Sequence, residues 1–183
     1  MILLARHGEA ADNVPPVRVM GRRDSPLTER GREQARTLAG AVSAEDTRAL
    51  YTSHLRRARQ TAEIVGEALA LEPHVDPRLA ESDRGRWEGR LMEDIEREEP
   101  EAWNAWLRAG NGFRFPGGEA LRDHLDRVVA ALEDVRAGPL PALVVCHRGT
   151  IRCAFAARDH RGLDAFHELD VPNAVPLRLG SLK

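Results

Sequence analysis

The sequence predicts an α/β three-layer sandwich, with a mainly parallel central sheet flanked by helices and a small helical and loop cap. Three observations predict it. Short apolar runs of strand length alternate with longer stretches whose apolar residues recur at helical spacing. The run Ala142-Leu143-Val144-Val145-Cys146 reads as a buried strand, and Ile2 to Ala5 as another. One segment, residues 82–117, breaks the alternation and concentrates aromatic and basic side chains.

Taken in order, the first strand stops abruptly at Arg6-His7-Gly8-Glu9. Thr28 then fits the cap of a helix whose inner face carries Ala35, Leu38, Ala39 and Val42. Ala49 to Thr52 reads as a short strand. Ser53 precedes a second helix with Ala58, Thr61, Ala62, Val65 and Leu69 on one side. His74-Val75 fits a short edge strand. From Gly118 a long helix presents Leu121, Leu125, Val128, Val129 and Leu132, and Gly138-Pro139 ends it. Another helix follows the 142–146 strand from about Thr150, and Val175 to Leu179 fits a last strand.

The excursion over residues 82–117 holds all three tryptophans, Trp87, Trp103 and Trp106, together with Phe113 and Phe115. Arg84, Arg86, Arg90, Arg97, Arg108 and Arg114 are interspersed. Two readings stand: a cap over a ligand site, or a satellite hydrophobic cluster bracing a long insertion. The aromatic rings would stack on a ligand in the first reading and on one another in the second.

Composition narrows the function. With 183 residues, 42% hydrophobic and 31% charged, the chain reads as one globular domain spanning residues 1–183. A formal net charge of -2 favours neither nucleic acid nor a membrane surface as partner, so any anion site must be local. The apolar N-terminal run is too short for a signal peptide or a membrane span. Cys146 and Cys153 read as reduced core thiols in a cytoplasmic protein. The seven histidines are scattered and form no paired ligand motif with a cysteine, so no metal and no cofactor is expected.

The chemistry concentrates at two strand ends. LLARHGE and LVVCHRGT each run from an apolar strand into a histidine, His7 or His147, with a glycine close behind. Carboxyl ends of parallel strands share one edge, where ligands bind. Two strands can therefore bring both imidazoles together. Arg57, near the start of the second helix, adds a guanidinium at a helix amino terminus, and Arg6 adds another beside His7.

With these residues in view, the chain resembles the histidine phosphatase superfamily, the phosphoglycerate-mutase-like enzymes. Six ordered blocks carry the resemblance: RHGEAADN at 6–13, MGRRDSPLTERGREQA at 20–35, TSHLRRARQTA at 52–62, LAESDRGRWEG at 79–89, FPGGEALRDHLDRV at 115–128 and VVCHRGTIR at 144–152. The resemblance implies that His7 is the nucleophile that becomes a phosphohistidine. It implies that Arg6, Arg57 and His147 surround the phosphoryl oxygens, with Asn13 as a further phosphate contact. Glu81 matches the general acid for the leaving oxygen, later the base for water. A cationic pocket favours an ionised carboxyl, so Glu81 is expected at the pocket rim beside the leaving group, shielded by bound phosphate. Gly21, Arg84 and Arg148 are candidates for substrate contacts.

The chain departs from the family pattern in places. Arg148, rather than glycine, follows the second histidine. It either contacts phosphate or substrate or leans on the cap, and a local change in pocket shape is expected there. Ala10 and Ala11 stand where hydroxyl and bulky residues are more usual. Compactness and the GRWEG and PGGE steps resemble the phosphatase branch, which includes α-ribazole-phosphate and broad-specificity phosphatases. The expected partner is a small phosphomonoester, with a homodimer through the cap as a possible assembly. A phosphoglycerate-mutase-type transferase is the alternative. A protein phosphohistidine phosphatase or a catalytically silent binding domain is a weaker one.

Overall fold

The computed structural model describes residues 1–108 and 110–180. Its elements in chain order are β1 (Ile2–Arg6), α1 (Glu29–Ser43), β2 (Ala49–Thr52), α2 (Arg56–Leu69), β3 (Pro73–Val75), α3 (Met92–Glu98), α4 (Pro100–Leu107), α5 (Leu121–Ala137), β4 (Ala142–Cys146), α6 (Arg148–Ala156) and β5 (Pro176–Leu179). The strands form one sheet in the order β3-β2-β4-β1-β5, parallel except for β5, which runs antiparallel to β1.

Period-two geometry divides each central strand between two apolar layers. Ile2, Leu4, Ala142 and Val144 face α5, α6 and the cap, whereas Leu3, Ala5, Leu143 and Val145 face α1 and α2. Every residue of β1 and β4 is buried, because helices cover both faces. The three-layer sandwich follows from that patterning.

Thr28 caps α1 as its sequence context predicts, its hydroxyl accepting the Gly31 amide at 3.0 Å. Two helices begin elsewhere than expected. α5 starts at Leu121, with Val129 only partly buried, because residues 113–120 fold back as a turn in which the Phe115 amide donates to the Glu119 carbonyl at 3.1 Å. α6 starts at Arg148, with His147 itself the cap residue, so the second histidine joins strand to helix without a loop. The chain then climbs back to the sheet's carboxyl edge before β5 descends. This explains the antiparallel direction of β5 and brings Asn173 beside His7, whose carbonyl accepts its side-chain amide at 2.8 Å.

The cap comprises a 3-10 turn at Gly85–Trp87 followed by α3 and α4. Its rings pack on one another: Trp106 lies 4.8 Å from Phe115 and 5.3 Å from Phe113, and Trp87 lies 5.9 Å from Phe115. Residues 17–19 pair with the cap. The Val19 amide donates to the Arg90 carbonyl at 3.0 Å, and the Gly89 amide donates to the Val19 carbonyl at 2.8 Å. Both cysteines are buried free thiols, and among the described residues no helix is long and apolar enough to cross a membrane.

Candidate active site

Strand register brings the two histidines together. β1 and β4 pair in parallel with Arg6 opposite Cys146, so the next residue of each strand is a histidine. The His7 amide donates to the Cys146 carbonyl at 3.0 Å, and the rings lie 5.3 Å apart, tilted by 56°. Both are at most 1% exposed.

His7 is held in one tautomer by its neighbours. Its Nδ1 lies 2.7 Å from the Gly8 carbonyl, an acceptor only, so the ring proton sits there. Nε2 keeps its lone pair and accepts Arg57 Nε–H at 3.2 Å. Burial, followed by the charges of Arg57 and Arg6, pushes the His7 pKa well below its ordinary value, so the ring is neutral. A neutral imidazole with one unprotonated nitrogen is the nucleophilic form.

Arg57 sits in the first turn of α2, fully buried. Its other nitrogens donate to the Arg23 carbonyl at 2.8 Å and the Gly21 carbonyl at 2.7 Å. Thr61, one turn further along α2, accepts the Gly8 amide at 3.0 Å and donates to the Arg57 carbonyl at 2.8 Å. Arg6 donates to the Val171 carbonyl at 3.2 Å, while among the described residues its buried Nε has no partner, and neither ring nitrogen of His147 has one. Burial, then Arg57 and His7, push the His147 pKa well below normal. Arg57 at Nε2, the nearby Arg6 charge and a ring with unused hydrogen-bonding capacity thus adjoin the His7 imidazole.

The structure corrects the expectation for Glu81. The side chain is 6% exposed and set into the cavity wall rather than placed at a rim. Its carboxylate accepts the Ser82 amide at 2.9 Å and the Gly149 amide, in the first turn of α6, at 3.0 Å. Burial alone would raise its pKa. Arg84 and those two N–H groups outweigh burial and hold it at about 2, so Glu81 is a carboxylate.

A Cβ at Gly149 would lie 2.2 Å from Glu81 Oε1, so this glycine seats the carboxylate, while the preceding Arg148 is exposed. Gly8 likewise serves packing more than ligand access. Its Cβ would meet the Gly31 carbonyl of α1 at 2.2 Å.

A clamp outside the cavity positions Glu81. From α5, Arg127 donates to the carbonyls of Arg78 at 2.6 Å, Ala80 at 2.7 Å and Glu81 at 3.1 Å. It also pairs with Glu119, at 2.7 Å and 2.9 Å, and Glu119 accepts the Asp83 amide at 3.2 Å. His124 lies next to this clamp, fully buried, 3.3 Å from the Thr150 hydroxyl, its pKa lowered to about 4 by burial and Arg127.

One cavity of about 390 Å³ gathers nearly all the sequence-predicted residues. Arg6, His7, Asn13, Gly21, Glu81, Arg84 and Arg148 line it. Arg57 and His147 do not line it; both are fully buried next to His7, which does. Asn13 accepts the Ala10 amide at 3.1 Å. The cavity's apolar wall is Val17, Val19, Met20 and Met92, with none of the cap aromatics, so those rings pack as a satellite cluster. Sequence reasoning missed Asn173, Glu9, Thr61, Arg127 and Glu119. Asn173 is reached only through the climb to β5; the others lie within recognised blocks but carry no signal of what they touch.

Residues 2–179 match the model of the histidine phosphatase superfamily, branch 1. Phosphoserine phosphatase 1 of Hydrogenobacter thermophilus is 34% identical over 175 residues, covering 94% of this chain and 82% of that protein. A probable phosphoglycerate mutase GpmB of Photorhabdus laumondii is 38% identical over 155 residues, covering 83% and 71%. Among solved structures, a mycobacterial glucosyl-3-phosphoglycerate phosphatase in complex with VO3 superimposes with a TM-score of 0.87 at 31% identity, covering 96% of this chain and 90% of that one.

Proposed function

The chain belongs to branch 1 of the histidine phosphatase superfamily, and on that premise we propose that it is a metal-independent phosphomonoesterase acting on a small phosphorylated metabolite. The observation that carries the reading is the neutral His7 ring, its Nδ1 anchored on the Gly8 carbonyl and its Nε2 lone pair among guanidiniums.

In this mechanism Nε2 of His7 attacks phosphorus and the bond to the substrate's alcohol oxygen breaks. The phosphoryl group lies in line between them. Arg6, Arg57, Asn13 and His147 donate to its oxygens, and the incoming anion competes with Nε2 for the Arg57 N–H. The ring nitrogens of His147, without protein partners, become useful when a dianion arrives and favours protonation. The same dianion raises the Glu81 pKa by like-charge repulsion, so substrate binding itself supplies the condition for that carboxyl to carry a proton. Glu81 delivers the proton to the leaving alkoxide. It then takes one from a water that attacks phosphorus, which breaks the P–N bond and restores His7.

Phosphatase names on a relative covered to 82% and on a solved structure covered to 90%, against 71% for the probable mutase, support hydrolysis over isomerisation. Replacing His7 by alanine is expected to abolish both p-nitrophenyl phosphate turnover in chelator and acid-labile phosphoryl labelling, a loss on the order of 10⁴-fold or more. Labelling that persists at another residue would overturn the assignment. Isomerisation of 3-phosphoglycerate by the wild type without net hydrolysis would establish a mutase instead.

A further inference from the structure

Arg57 is aimed by a loop as well as by its own helix. Its Nη1 and Nη2 donate to the carbonyls of Arg23 and Gly21, at 2.8 Å and 2.7 Å, while Nε meets His7. A guanidinium is planar, so fixing two of its nitrogens orients the third. Whatever holds residues 21–23 therefore aligns the cation on the nucleophile.

The cap holds them, through Glu88. One carboxylate oxygen, Oε1, accepts the Arg84 amide within the cap at 3.0 Å and the Arg22 amide of the loop at 2.9 Å. Charge-assisted bonds of this kind are about twice as strong as neutral ones. Gly21 is shaped for the contact: its φ is +49°, and a Cβ would lie 2.1 Å from the same oxygen. Two ion pairs also reach the loop, Arg23 with Asp12 at 3.4 Å and Arg22 with Glu119 at 3.6 Å. Both are longer and involve half-exposed arginines, so they hold it less firmly. Electrostatics alone gives Glu88 no place here, since its charge acts on Arg57 and would repel a bound phosphate dianion. What its oxygen holds is the better reason for a carboxylate at this position.

We propose that Glu88 is a positioning residue for Arg57, its carboxylate joining the cap to the loop that aims the guanidinium. Placement of the cap and alignment of Arg57 are then one event, and a displaced cap loosens the site at its nucleophile. The grip of Arg57 on a phosphoryl group rests on the phosphatase reading; its alignment on His7 does not.

Glu88→Ala and Glu88→Gln remove the same charge, but only glutamine keeps a side-chain oxygen for the two amides. Glu88 is half-buried, so neither change opens the core. Both variants are compared with the wild type and with Arg57→Lys. Histidine nitrogen NMR spectra of the unliganded protein follow Nε2 of His7, assigned through His7→Gln, and calorimetry gives the affinity for inorganic phosphate. Glu88→Ala is expected to move the His7 Nε2 resonance in the direction that Arg57→Lys moves it. It should also weaken phosphate binding about tenfold, the effect of one charge-assisted contact. Glu88→Gln should restore most of both. Added to Arg57→Lys, Glu88→Ala should cost about twofold or less, because the two residues act through one contact chain. Tighter phosphate binding in both Glu88 variants would mean that only the charge matters, and would overturn the proposal. Equal effects of alanine and glutamine, no effect of either, or the same loss in both backgrounds would overturn it too. A His7 resonance that responds as expected, with neither phosphate binding nor turnover of any phosphomonoester, would instead sink the phosphatase reading and leave Glu88 as the residue that positions Arg57.

Discussion

His7 and His147 occupy equivalent places, yet the fold treats them differently. Each follows the last residue of a buried parallel strand, and the two strands are hydrogen-bonded neighbours. Each ring is buried and neutral. His7, however, has both nitrogens engaged, one by the Gly8 carbonyl and one by Arg57. His147 has neither engaged by any of the described residues. The contrast teaches how one sheet edge builds two roles from one residue type. A ring with its proton anchored on a carbonyl presents a fixed lone pair and suits attack. A ring without protein partners is left to a ligand, and suits stabilising charge that arrives with it.

The sharpest way to break this comparison is to exchange the losses. His7→Gln should remove covalent labelling altogether. His147→Gln should slow turnover by about 10²- to 10³-fold while labelling of His7 persists, the usual effect of deleting one oxyanion donor. Rapid-quench labelling reads both, and equal loss of labelling in the two variants would erase the distinction.

A smaller effect is expected from the clamp on Glu81. Arg127→Lys cannot reproduce three carbonyl contacts and a two-point pairing with Glu119. It should cost about tenfold in kcat/KM for alkyl phosphates, whose leaving oxygens need a proton, and little for p-nitrophenyl phosphate. A uniform loss across leaving groups would assign Arg127 to general stability instead.

The smallest expected effect concerns pH and stability. His7, His147 and His124 all have folded pKa values below the ordinary 6.5, His124 at about 4. The unfolded chain therefore gains protons that the folded chain refuses as pH falls below 6.5. Stability contributed by each neutral ring is intact above that value and declines beneath it, by up to about 1.4 kcal/mol per pH unit for each ring. Urea midpoints at pH 7.5, 6.5, 5.8 and 5.0 should be flat at first and then fall. In His147→Gln the acid slope should shrink by about one proton, and saturating inorganic phosphate should reduce it likewise if His147 accepts a proton beside the anion. A midpoint that stays constant down to pH 5.0 would contradict burial of neutral rings.

Much of this site is legible in the chain because it depends on local order along β1, α2 and β4. A strand that ends in Arg6-His7 and another that ends in His147 deliver their side chains to one edge wherever the sheet is parallel. Thr28 caps α1 through a bond to a residue three positions on, so the chain itself carries that information. Glu81 was placed less well. Its burial arises from Arg127, Glu119 and Gly149, which are 38 to 68 residues away in the chain and have no periodic relation to it. The cap shows the same limit, since its aromatic composition fits a ligand-stacking surface and a self-packed cluster equally well.

Sequence alone thus determined the layer order, the two histidines at strand ends and the identity of the cations near them, because apolar period and strand termini are written in consecutive residues. Tertiary structure alone decided which nitrogen of His7 holds its proton, why Glu81 is a buried carboxylate, and that Arg84 and Arg148 face one cavity. Those properties belong to distances between remote groups, and a pKa or a tautomer is set by such distances rather than by neighbours in the chain.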